Sequence, residues 1–358
     1  MNEYSKRILI TGGAGFIGSH VVRHFVNKYP DYQIVNFDAL TYAGNLENLK
    51  DVEKSDNYVF VKGDIRNVSD VNAVFKNYAI TDVIHLAAES HVDRSISNPS
   101  VFAETNVMGT LNLLNAARES WKEDYGKHRF HHVSTDEVWG SLSLDNEDKF
   151  YEELKYDPHS PYSASKASSD HFVRAYHSTY GLNITISNCS NNFSEYQFPE
   201  KLIPFVLTSL KKHKPIKIYG EGLNVRDWLY TLNHVIAIDT IFHNGKNGET
   251  YCVGGNHPLT NNEIVDVLIC EYSKQTGEDV NELRKLVTHI PDPRPGHDLA
   301  YRIDSTKLQE ELGWNPYTYT FEEGIERTVR FYIENDKWVD NILSGEYAKY
   351  RANFYGEK

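Results

Sequence analysis

The chain has 358 residues, 40% hydrophobic and 24% charged, which suits one large α/β unit with a second, smaller domain. A formal net charge of −13 argues against nucleic-acid binding, because nucleic-acid binders normally present a basic face. Three irregularly spaced cysteines, no leader-like N-terminus and no apolar run of about 18 residues predict a cytoplasmic protein with no disulfide framework, metal site or membrane span.

The first half of the chain alternates short β-branched runs with longer segments of helical spacing, such as 101–120. Repeated strand–helix–strand order predicts an α/β fold with a Rossmann-type, doubly wound parallel sheet. In such a sheet, ligands bind beyond the carboxyl ends of the strands. The runs predicted as strands are 7–11, 33–39, 58–64, 82–88, 130–135 and 183–189.

A glycine turn joins the first predicted strand to a helix in ILITGGAGFIGSHVVRHF, where Gly12, Gly15 and Gly18 lie three residues apart. A dinucleotide site needs glycine for a tight turn, for close backbone approach to the pyrophosphate and for helix–strand packing. Asp38 ends the next strand, where a carboxylate accepts hydrogen bonds from ribose hydroxyls and repels a 2′-phosphate. The pattern therefore favours NAD over NADP; the alternative is a structural turn that binds no nucleotide.

Two adjacent acids follow the fifth predicted strand in HHVSTDEVWGS, where Thr135 precedes Asp136 and Glu137. By sheet geometry, both acids emerge at the carboxyl edge of the sheet. The alternative is that they only cap the end of the strand. One acid kept neutral by burial could protonate a leaving hydroxyl, while the other, ionised, abstracts a carbon-bound proton beside a ketone. The pair therefore suggests proton chemistry beyond hydride transfer alone.

A tyrosine and a lysine lie four residues apart in the predicted helix that begins after Ser160 and ends before Gly181. Tyr162 and Lys166 then share a face of that helix. A nearby ammonium is expected to lower the pKa of the phenol, so that it can accept a proton from an alcohol while hydride leaves the carbon. The alternative is a solvated helix face.

The second half of the chain has weaker alternation and more turn signals, which predicts a smaller, interleaved α/β domain. No low-complexity linker separates the two parts, so tight packing between them is expected. The predicted limits are 1–190 plus about 226–250 for the NAD-binding domain, and about 191–225 plus 251–358 for a nucleotide-sugar-binding domain.

Motifs along nearly the whole chain resemble the dTDP-glucose 4,6-dehydratases of the extended short-chain dehydrogenase/reductase superfamily. The glycine and Tyr–Lys motifs are general in that superfamily, whereas T-D-E with N-N…Q-F-P-E-K-L and R-P-G-H-D is more specific to the dehydratase. The motifs are TGGAGFIGS, FDALTYAGN, AAESHVDRS, STDEVWGS, SPYSASKASSDH, NCSNN, QFPEKLIP, VRDWLY, RPGHD and NPYTYTFEEGIERTV.

The resemblance implies tightly held NAD that is regenerated within each turnover, in deoxysugar biosynthesis of the dTDP-rhamnose type. Tyr162, supported by Lys166, would deprotonate the hydroxyl on glucose carbon 4 as hydride passes to NAD, with Thr135 bonded to that oxygen. The ketone acidifies carbon 5, so Glu137 would remove its proton while Asp136 protonates the hydroxyl leaving carbon 6. Hydride return to carbon 6 and proton return to carbon 5 would give the 4-keto-6-deoxy sugar.

The resemblance also assigns binding residues. The implied cofactor residues are Gly12, Gly15, Phe16, Ile17, Gly18, Asp38, Thr41, Gly44, Asp64, Ile65, Leu86, Ala87, Ala88, Tyr162, Lys166 and Asn188. The implied substrate residues are Ser90, Thr135, Asn191, Lys201, Leu202, Tyr219, Arg226, Asn261, Arg294 and His297, of which the two arginines would grip the diphosphate. A homodimer through a four-helix contact of segments near 101–120 and 161–180 is implied as well.

Several positions depart from the family pattern and leave the preference for dTDP, UDP or another nucleotide open. They are Trp139, Phe193-Ser194-Glu195, Lys217, Leu299, Ala300 and Phe354 or Tyr355. Two rival functions are a nucleotide-sugar 4-epimerase or related oxidoreductase and an NAD-sensing protein without turnover. An epimerase needs no acid and base for elimination, and a sensor needs no intact Thr–Tyr–Lys set.

Overall fold

A computed structural model of the chain describes residues 4–294 and 296–344. The strands are β1 (Lys6–Thr11), β2 (Tyr32–Asp38), β3 (Tyr58–Lys62), β4 (Asp82–His85), β5 (Phe130–Thr135), β6 (Ile184–Cys189), β7 (Asn191–Phe193), β8 (Ile216–Tyr219), β9 (Val225–Tyr230), β10 (Thr250–Val253), β11 (Pro258–Thr260) and β12 (Val287–Ile290).

Helices follow most of these strands, and a π-helical segment, Ala103–Met108, joins two of the helices. The helices are α1 (Phe16–Lys28), α2 (Val68–Tyr78), α3 (Val92–Ser97), α4 (Pro99–Phe102), α5 (Gly109–Ser120), α6 (Pro161–Tyr180), α7 (Leu202–Lys211), α8 (Thr231–Asn244), α9 (Asn261–Thr276), α10 (Val280–Arg284), α11 (Thr306–Leu312), α12 (Phe321–Glu334) and α13 (Asp336–Ser344).

Seven parallel strands form the large sheet in the order β10-β6-β5-β4-β1-β2-β3. β1, β4, β5 and β6 are almost entirely buried, as expected for parallel strands covered on both faces. Strand order reverses beside β1, so a crevice opens there beyond the carboxyl ends of β1 and β4. The predicted Rossmann-type fold class is confirmed.

Helices cover both faces of the large sheet and form its two hydrophobic cores. One core packs α2, α5 and α6 against residues such as Leu9 and Ile184. The other packs α1 and α8 against residues such as Ile8 and Ile34. With both faces covered, the carboxyl edge is the part of the sheet left open for a site.

The smaller layer contains the sheet β11-β9-β7 and the parallel pair β12-β8, with α7, α9 and α12 packed around a third core. The two-domain division stays a prediction, but two of its limits differ from the observed sheets. β9 lies within 226–250, assigned to the NAD-binding domain, yet it pairs in the small sheet. β10 extends to Val253 in the large sheet, because it continues the parallel pairing with β6.

The ends of the predicted strands agree with the observed ones to within one residue, except at two carboxyl ends. β4 stops at His85 rather than at 88, because the chain turns over β1 and the amides of Leu86 and Ala87 lie 3.2 Å from the Thr11 hydroxyl. β3 likewise stops at Lys62. Within the described ranges, no helix is long and apolar enough to cross a membrane.

Candidate active site

The glycine turn between β1 and α1 brings two backbone segments into close contact. Gly12 has φ +71°, and a Cβ there would lie 2.8 Å from the Cα of Ala87. Gly15 precedes α1 and makes no side-chain cap, so the first amides of the helix are left for another acceptor. Helix N-terminal amides with no side-chain cap suit a phosphate.

Asp38, at the end of β2, is held against this turn. Its two carboxylate oxygens accept hydrogen bonds from the amides of Ala14 (3.0 Å) and Leu40 (2.8 Å). Burial raises the pKa of this carboxyl, and the two amide hydrogen bonds oppose that rise. Each oxygen keeps a free lone pair at the cavity wall, which fits the predicted hydrogen bonds to ribose hydroxyls.

One cavity runs along the carboxyl edge of the large sheet. It joins the glycine turn to the acid pair and to the Tyr–Lys pair. The predicted residues that line it are Gly12, Gly15, Phe16, Ile17, Gly18, Asp38, Thr41, Gly44, Asp64, Ile65, Leu86, Ala87, Ala88, Ser90, Thr135, Asp136, Glu137, Tyr162, Lys166, Asn191 and Lys201.

The acid pair begins a short 3-10 turn directly after β5, because the Thr135 hydroxyl accepts the Glu137 amide at 3.3 Å. The same hydroxyl donates to Oδ1 of Asp136 at 3.2 Å, while Oδ2 of Asp136 is buried without a hydrogen-bond partner. Burial and the neighbouring Glu137 hold the pKa of Asp136 well above its usual value. The pKa of Glu137 is also raised by burial, but less than that of Asp136, because the positive charges of Lys201 and Arg226 oppose the rise. Asp136 is therefore the acid that stays protonated.

Tyr162 and Lys166 share the inner face of α6, which begins at a capping box on Ser160 and ends at Gly181, as predicted. Lys166 donates from Nζ to the carbonyl of Val133 at 2.9 Å. The predicted lowering of the Tyr162 pKa is not observed: burial and the charge of Glu137 raise it well above its usual value. A hydrogen bond with Thr135 acts in the lowering direction.

Basic side chains from the smaller layer gather beside the cavity. Arg226 and Arg294 lie 3.2 Å and 3.4 Å from Nε2 of His297. Arg294 also lies over the ring of Tyr219 and forms an ion pair with Asp93 at 2.5 Å. These four predicted residues form a cluster adjoining the cavity rather than lining it. Leu202 and Asn261, the first residues of α7 and α9, do not line the cavity either.

Asn188 is the predicted cofactor residue that does not reach the cavity. It is fully buried in β6, and its amide donates to the Thr135 carbonyl (2.9 Å) and to Asp170 (3.2 Å). The side chain is held by these two hydrogen bonds and does not line the cavity. Asn188 therefore supports Thr135 from below.

Besides Oδ2 of Asp136, the buried polar atoms of the cavity wall without a hydrogen-bond partner include the hydroxyl oxygens of Ser134 and Ser190, Oδ1 of Asn191 and Oε1 of Gln197. Buried polar atoms are normally satisfied, so these atoms fit a polar ligand. Except for Asn191, the sequence prediction missed them. The motifs NCSNN and QFPEK contained the signal for Ser190 and Gln197, but no role was inferred from them.

A sequence model of the family described as GDP-mannose 4,6 dehydratase matches residues 9–328. The dTDP-glucose 4,6-dehydratase of Salmonella typhimurium is 47% identical and covers 98% of this chain and 100% of its own length. The dTDP-glucose 4,6-dehydratase of Neisseria meningitidis is 46% identical, with 96% and 97% covered.

The chain belongs to the dTDP-glucose 4,6-dehydratase family.

Solved structures agree with this membership of the dTDP-glucose 4,6-dehydratase family. The dTDP-glucose 4,6-dehydratase of Streptomyces venezuelae, solved with NAD and dTDP bound, is 43% identical with a TM-score of 0.85 and covers 94% of this chain and 99% of its own. A UDP-glucose 4-epimerase of Thermus thermophilus with NAD is 27% identical, with a TM-score of 0.79 and coverage of 92% and 99%. The fold is thus shared with this NAD-bound epimerase.

Some departures from the dTDP-glucose 4,6-dehydratase pattern make new contacts in this chain. Glu195 accepts a hydrogen bond from Ser194 (2.7 Å) and lies 3.2 Å from the Tyr230 hydroxyl, while Ser194 is 2.9 Å from His20 of α1. The cluster therefore ties α1 to the smaller layer. Lys217 and Leu299 are exposed, Ala300 and Trp139 are buried, and positions 354 and 355 lie outside the described residues.

Replacing Asp136 with Asn is expected to stabilise this dehydratase-family chain more at high pH than at low pH. The folded pKa of Asp136 is raised, so the folded state binds more protons than the unfolded state and its stability falls as pH rises above the unfolded value of about 4. An Asn side chain does not ionise, so its variant does not lose stability in this way as the pH rises. The difference in unfolding free energy between variant and wild type should grow from pH 4 to pH 8 in thermal melts.

Asp239 provides a control of opposite sign. Although burial opposes its ionisation, hydrogen bonds from His24, His243 and Lys28 lower its pKa, so its contribution is present at neutral pH and lost on acidification. Asp239→Asn should therefore destabilise by nearly the same amount at pH 8 and pH 4, and by progressively less as the pH falls below 4. A pH-independent difference for Asp136→Asn would contradict the assignment of a protonated Asp136.

Proposed function

We propose that this chain converts dTDP-glucose into dTDP-4-keto-6-deoxyglucose and water, with NAD as a cofactor that is used and regenerated in each turnover. The observation that carries the proposal is that the acid pair and the Tyr–Lys pair share one cavity with the glycine turn. Hydride transfer alone does not need Asp136 and Glu137, whereas an elimination needs both an acid and a base. Family membership supports the same reaction.

NAD fits the half of the cavity between the glycine turn and α6. The free amides before α1 and the close approach at Gly12 suit a pyrophosphate, and Asp38 offers oxygens to a ribose. Asp64, Ile65 and the segment 86–88 line the same part of the cavity. When bound, NAD supplies a positively charged ring that accepts and later returns a hydride. The proton transfers are carried out by side chains of the protein.

Tyr162 is the base proposed for the hydroxyl on sugar carbon 4. Its hydroxyl is buried against the cavity, interacts with Thr135 and stands on the same helical face as Lys166. Because the pKa of Tyr162 is raised by burial and by Glu137, the phenolate forms only with positive charge beside it. Lys166 supplies such a charge from within the protein, and Thr135 orients the oxygen at carbon 4.

Asp136 and Glu137 carry the proposed elimination. Asp136 keeps its proton at neutral pH because it is buried beside another acid, so it can donate that proton to the hydroxyl leaving carbon 6. Glu137 lies partly open to the cavity, and the basic side chains Lys201 and Arg226 favour its ionised form. It can therefore take the proton from carbon 5 and return one later.

The basic cluster beside the cavity is proposed to hold the nucleotide diphosphate. Arg226 and Arg294 can each present guanidinium hydrogen bonds to phosphate oxygens, with His297 and Tyr219 packed against Arg294. Asn191, Lys201 and Ser90 line the route from this cluster to the acid pair. We assign the base as thymine because of the family membership; the changes at 193–195 and 217 make UDP the main alternative.

A homodimer, a cytoplasmic location and the division into NAD-binding and nucleotide-sugar-binding parts belong to the same proposal. Exposed apolar side chains stand where the four-helix contact is expected: Met108 next to α5, and Phe172 and Tyr180 on α6. A second copy covering them would remove that area from water. Their exposed fractions are 53%, 39% and 43%.

A nucleotide-sugar screen tests the proposed function. Purified protein with no added NAD is incubated separately with dTDP-glucose, UDP-glucose and GDP-mannose. The masses of the products are then measured by mass spectrometry. Loss of one water, fastest from dTDP-glucose, is the expected result. Epimerisation without a mass change would favour the epimerase, and tight NAD binding without turnover of any sugar would favour the sensor.

A further inference from the structure

A buried carboxylate behind the site has no part in the proposed reaction. Asp170 lies one helical turn after Lys166 on α6, is fully buried and does not line the cavity. Burying an ionised carboxylate is costly unless other groups compensate its charge. The neighbours of Asp170 therefore indicate which groups its negative charge interacts with.

Asp170 is held by side chains from three elements. Its Oδ2 accepts hydrogen bonds from the Tyr156 hydroxyl (2.9 Å) and the Asn188 amide (3.2 Å), and Nε2 of His132 lies 3.1 Å from Oδ1. Arg174 donates to the Tyr156 hydroxyl at 2.7 Å. Although burial opposes ionisation, His132, Lys166 and Arg174 hold the pKa of Asp170 below its usual value.

Burial lowers the pKa of the Lys166 ammonium, so a nearby negative charge is needed to keep Lys166 protonated. The titratable groups that face it, besides Tyr162 and Asp170, come from three strands. His85 (β4) and His132 (β5) have pKa values lowered by burial, so both are neutral at physiological pH. Burial raises the pKa of Cys189 (β6) to about 12, so it is a neutral thiol. Of these groups, Asp170 is the one that is ionised.

We propose that Asp170 is a positioning residue whose carboxylate keeps the ammonium of Lys166 charged beside Tyr162. Asn188 extends this role, because the same amide that bonds Asp170 also donates to the Thr135 carbonyl at 2.9 Å. The carboxylate thus supports Lys166, which shares a helical face with Tyr162, and through Asn188 it supports Thr135, which interacts with the Tyr162 hydroxyl. The inference rests on the proposed function, since its readout is the dehydration of dTDP-glucose.

Removing this charge should make Lys166 lose its proton at lower pH. The alkaline limb of the kcat profile, where Lys166 deprotonates, is expected to move toward lower pH by about one unit, and kcat at pH 8 to fall about tenfold or more. KM should stay within about twofold of wild type, because Asp170 does not reach the cavity. A purely structural role would lower the yield of folded protein without moving the limb.

The test uses Asp170→Asn and Asp170→Ser in the full chain, so that both remove the charge but fill the space differently. Asp239→Asn is the matched control, because Asp239 is equally a buried carboxylate bound to cationic side chains, between α1 and α8. Folding is checked by circular dichroism, bound NAD by absorbance, and kcat and KM are measured from pH 6 to pH 10.

A moved alkaline limb with unchanged KM in either folded Asp170 variant, and an unmoved limb in Asp239→Asn, supports the proposal. A wild-type pH profile in a folded Asp170 variant overturns it, as does failure of both variants to fold while Asp239→Asn folds, since the role would then be structural. A wild-type chain inactive on dTDP-glucose would instead count against the proposed function.

Discussion

Replacing Tyr162 with Phe is expected to lower kcat for dTDP-glucose dehydration by about 10²–10⁴-fold, the usual contribution of a positioned general base. The phenol is the group on α6 that faces the cavity beside Thr135 and Glu137, and Phe keeps its ring contact with Phe102. The variant should therefore fold and bind NAD and substrate as wild type does. Stopped-flow measurement of NAD reduction should show that the first step, oxidation at carbon 4, is the slow one.

Tyr176→Phe is the matched control, because Tyr176 is a buried tyrosine on the same helix whose hydroxyl donates to Asn115 rather than facing the cavity. The Tyr176→Phe variant should lose about 1 kcal/mol of unfolding free energy and keep the wild-type kcat. Equal activity of Tyr162→Phe and wild type would show that another group takes the proton.

Replacing Glu137 with Gln is expected to separate oxidation from elimination. Gln keeps the shape of the side chain but cannot accept the proton from carbon 5, so dehydration should fall by about 10²–10⁴-fold. Oxidation at carbon 4 depends on Tyr162 and should continue, so reduced NAD should accumulate on the enzyme when dTDP-glucose is added. Absorbance of the bound nicotinamide and mass analysis of the sugar measure the two steps in one sample.

Glu152→Gln is the control for this variant. Glu152 is also partly buried with a raised pKa, but its carboxylate accepts the Cys252 amide outside the cavity. It should form product at the wild-type rate without accumulating reduced NAD. If Glu137→Gln dehydrated the sugar at the wild-type rate, the base would have to be a different residue.

The sequence predicted the large sheet and the glycine turn well, because both depend on local patterns. Parallel strands buried on both faces show as apolar runs, and the capped helix α6 is marked by Ser160, Pro161 and Gly181. Adjacent acids directly after β5 had to emerge at the carboxyl edge. The juxtaposition of Asp136 with Tyr162 was therefore predictable from topology alone.

Features that depend on three-dimensional packing were not predictable. The raised pKa of Tyr162 follows from burial against Glu137, which sequence spacing does not show. Asn188 lies away from the cavity because its amide bonds the Thr135 carbonyl and Asp170, and the surroundings of Asp170, which include Tyr156 and His132, form only in the folded chain. The sheets that β9 and β10 join were not predictable for the same reason, since the two strands follow closely along the chain but belong to different sheets.

The most direct test of the account follows the hydrogen atom of sugar carbon 4. Purified protein is given dTDP-glucose deuterated at carbon 4 in ordinary water, and the product is examined by NMR and mass spectrometry. The account predicts one water lost, deuterium on carbon 6 and a solvent hydrogen on carbon 5, because oxidation, elimination and reduction occur in one cavity. Deuterium that stays on carbon 4, or that is lost to solvent, would contradict it.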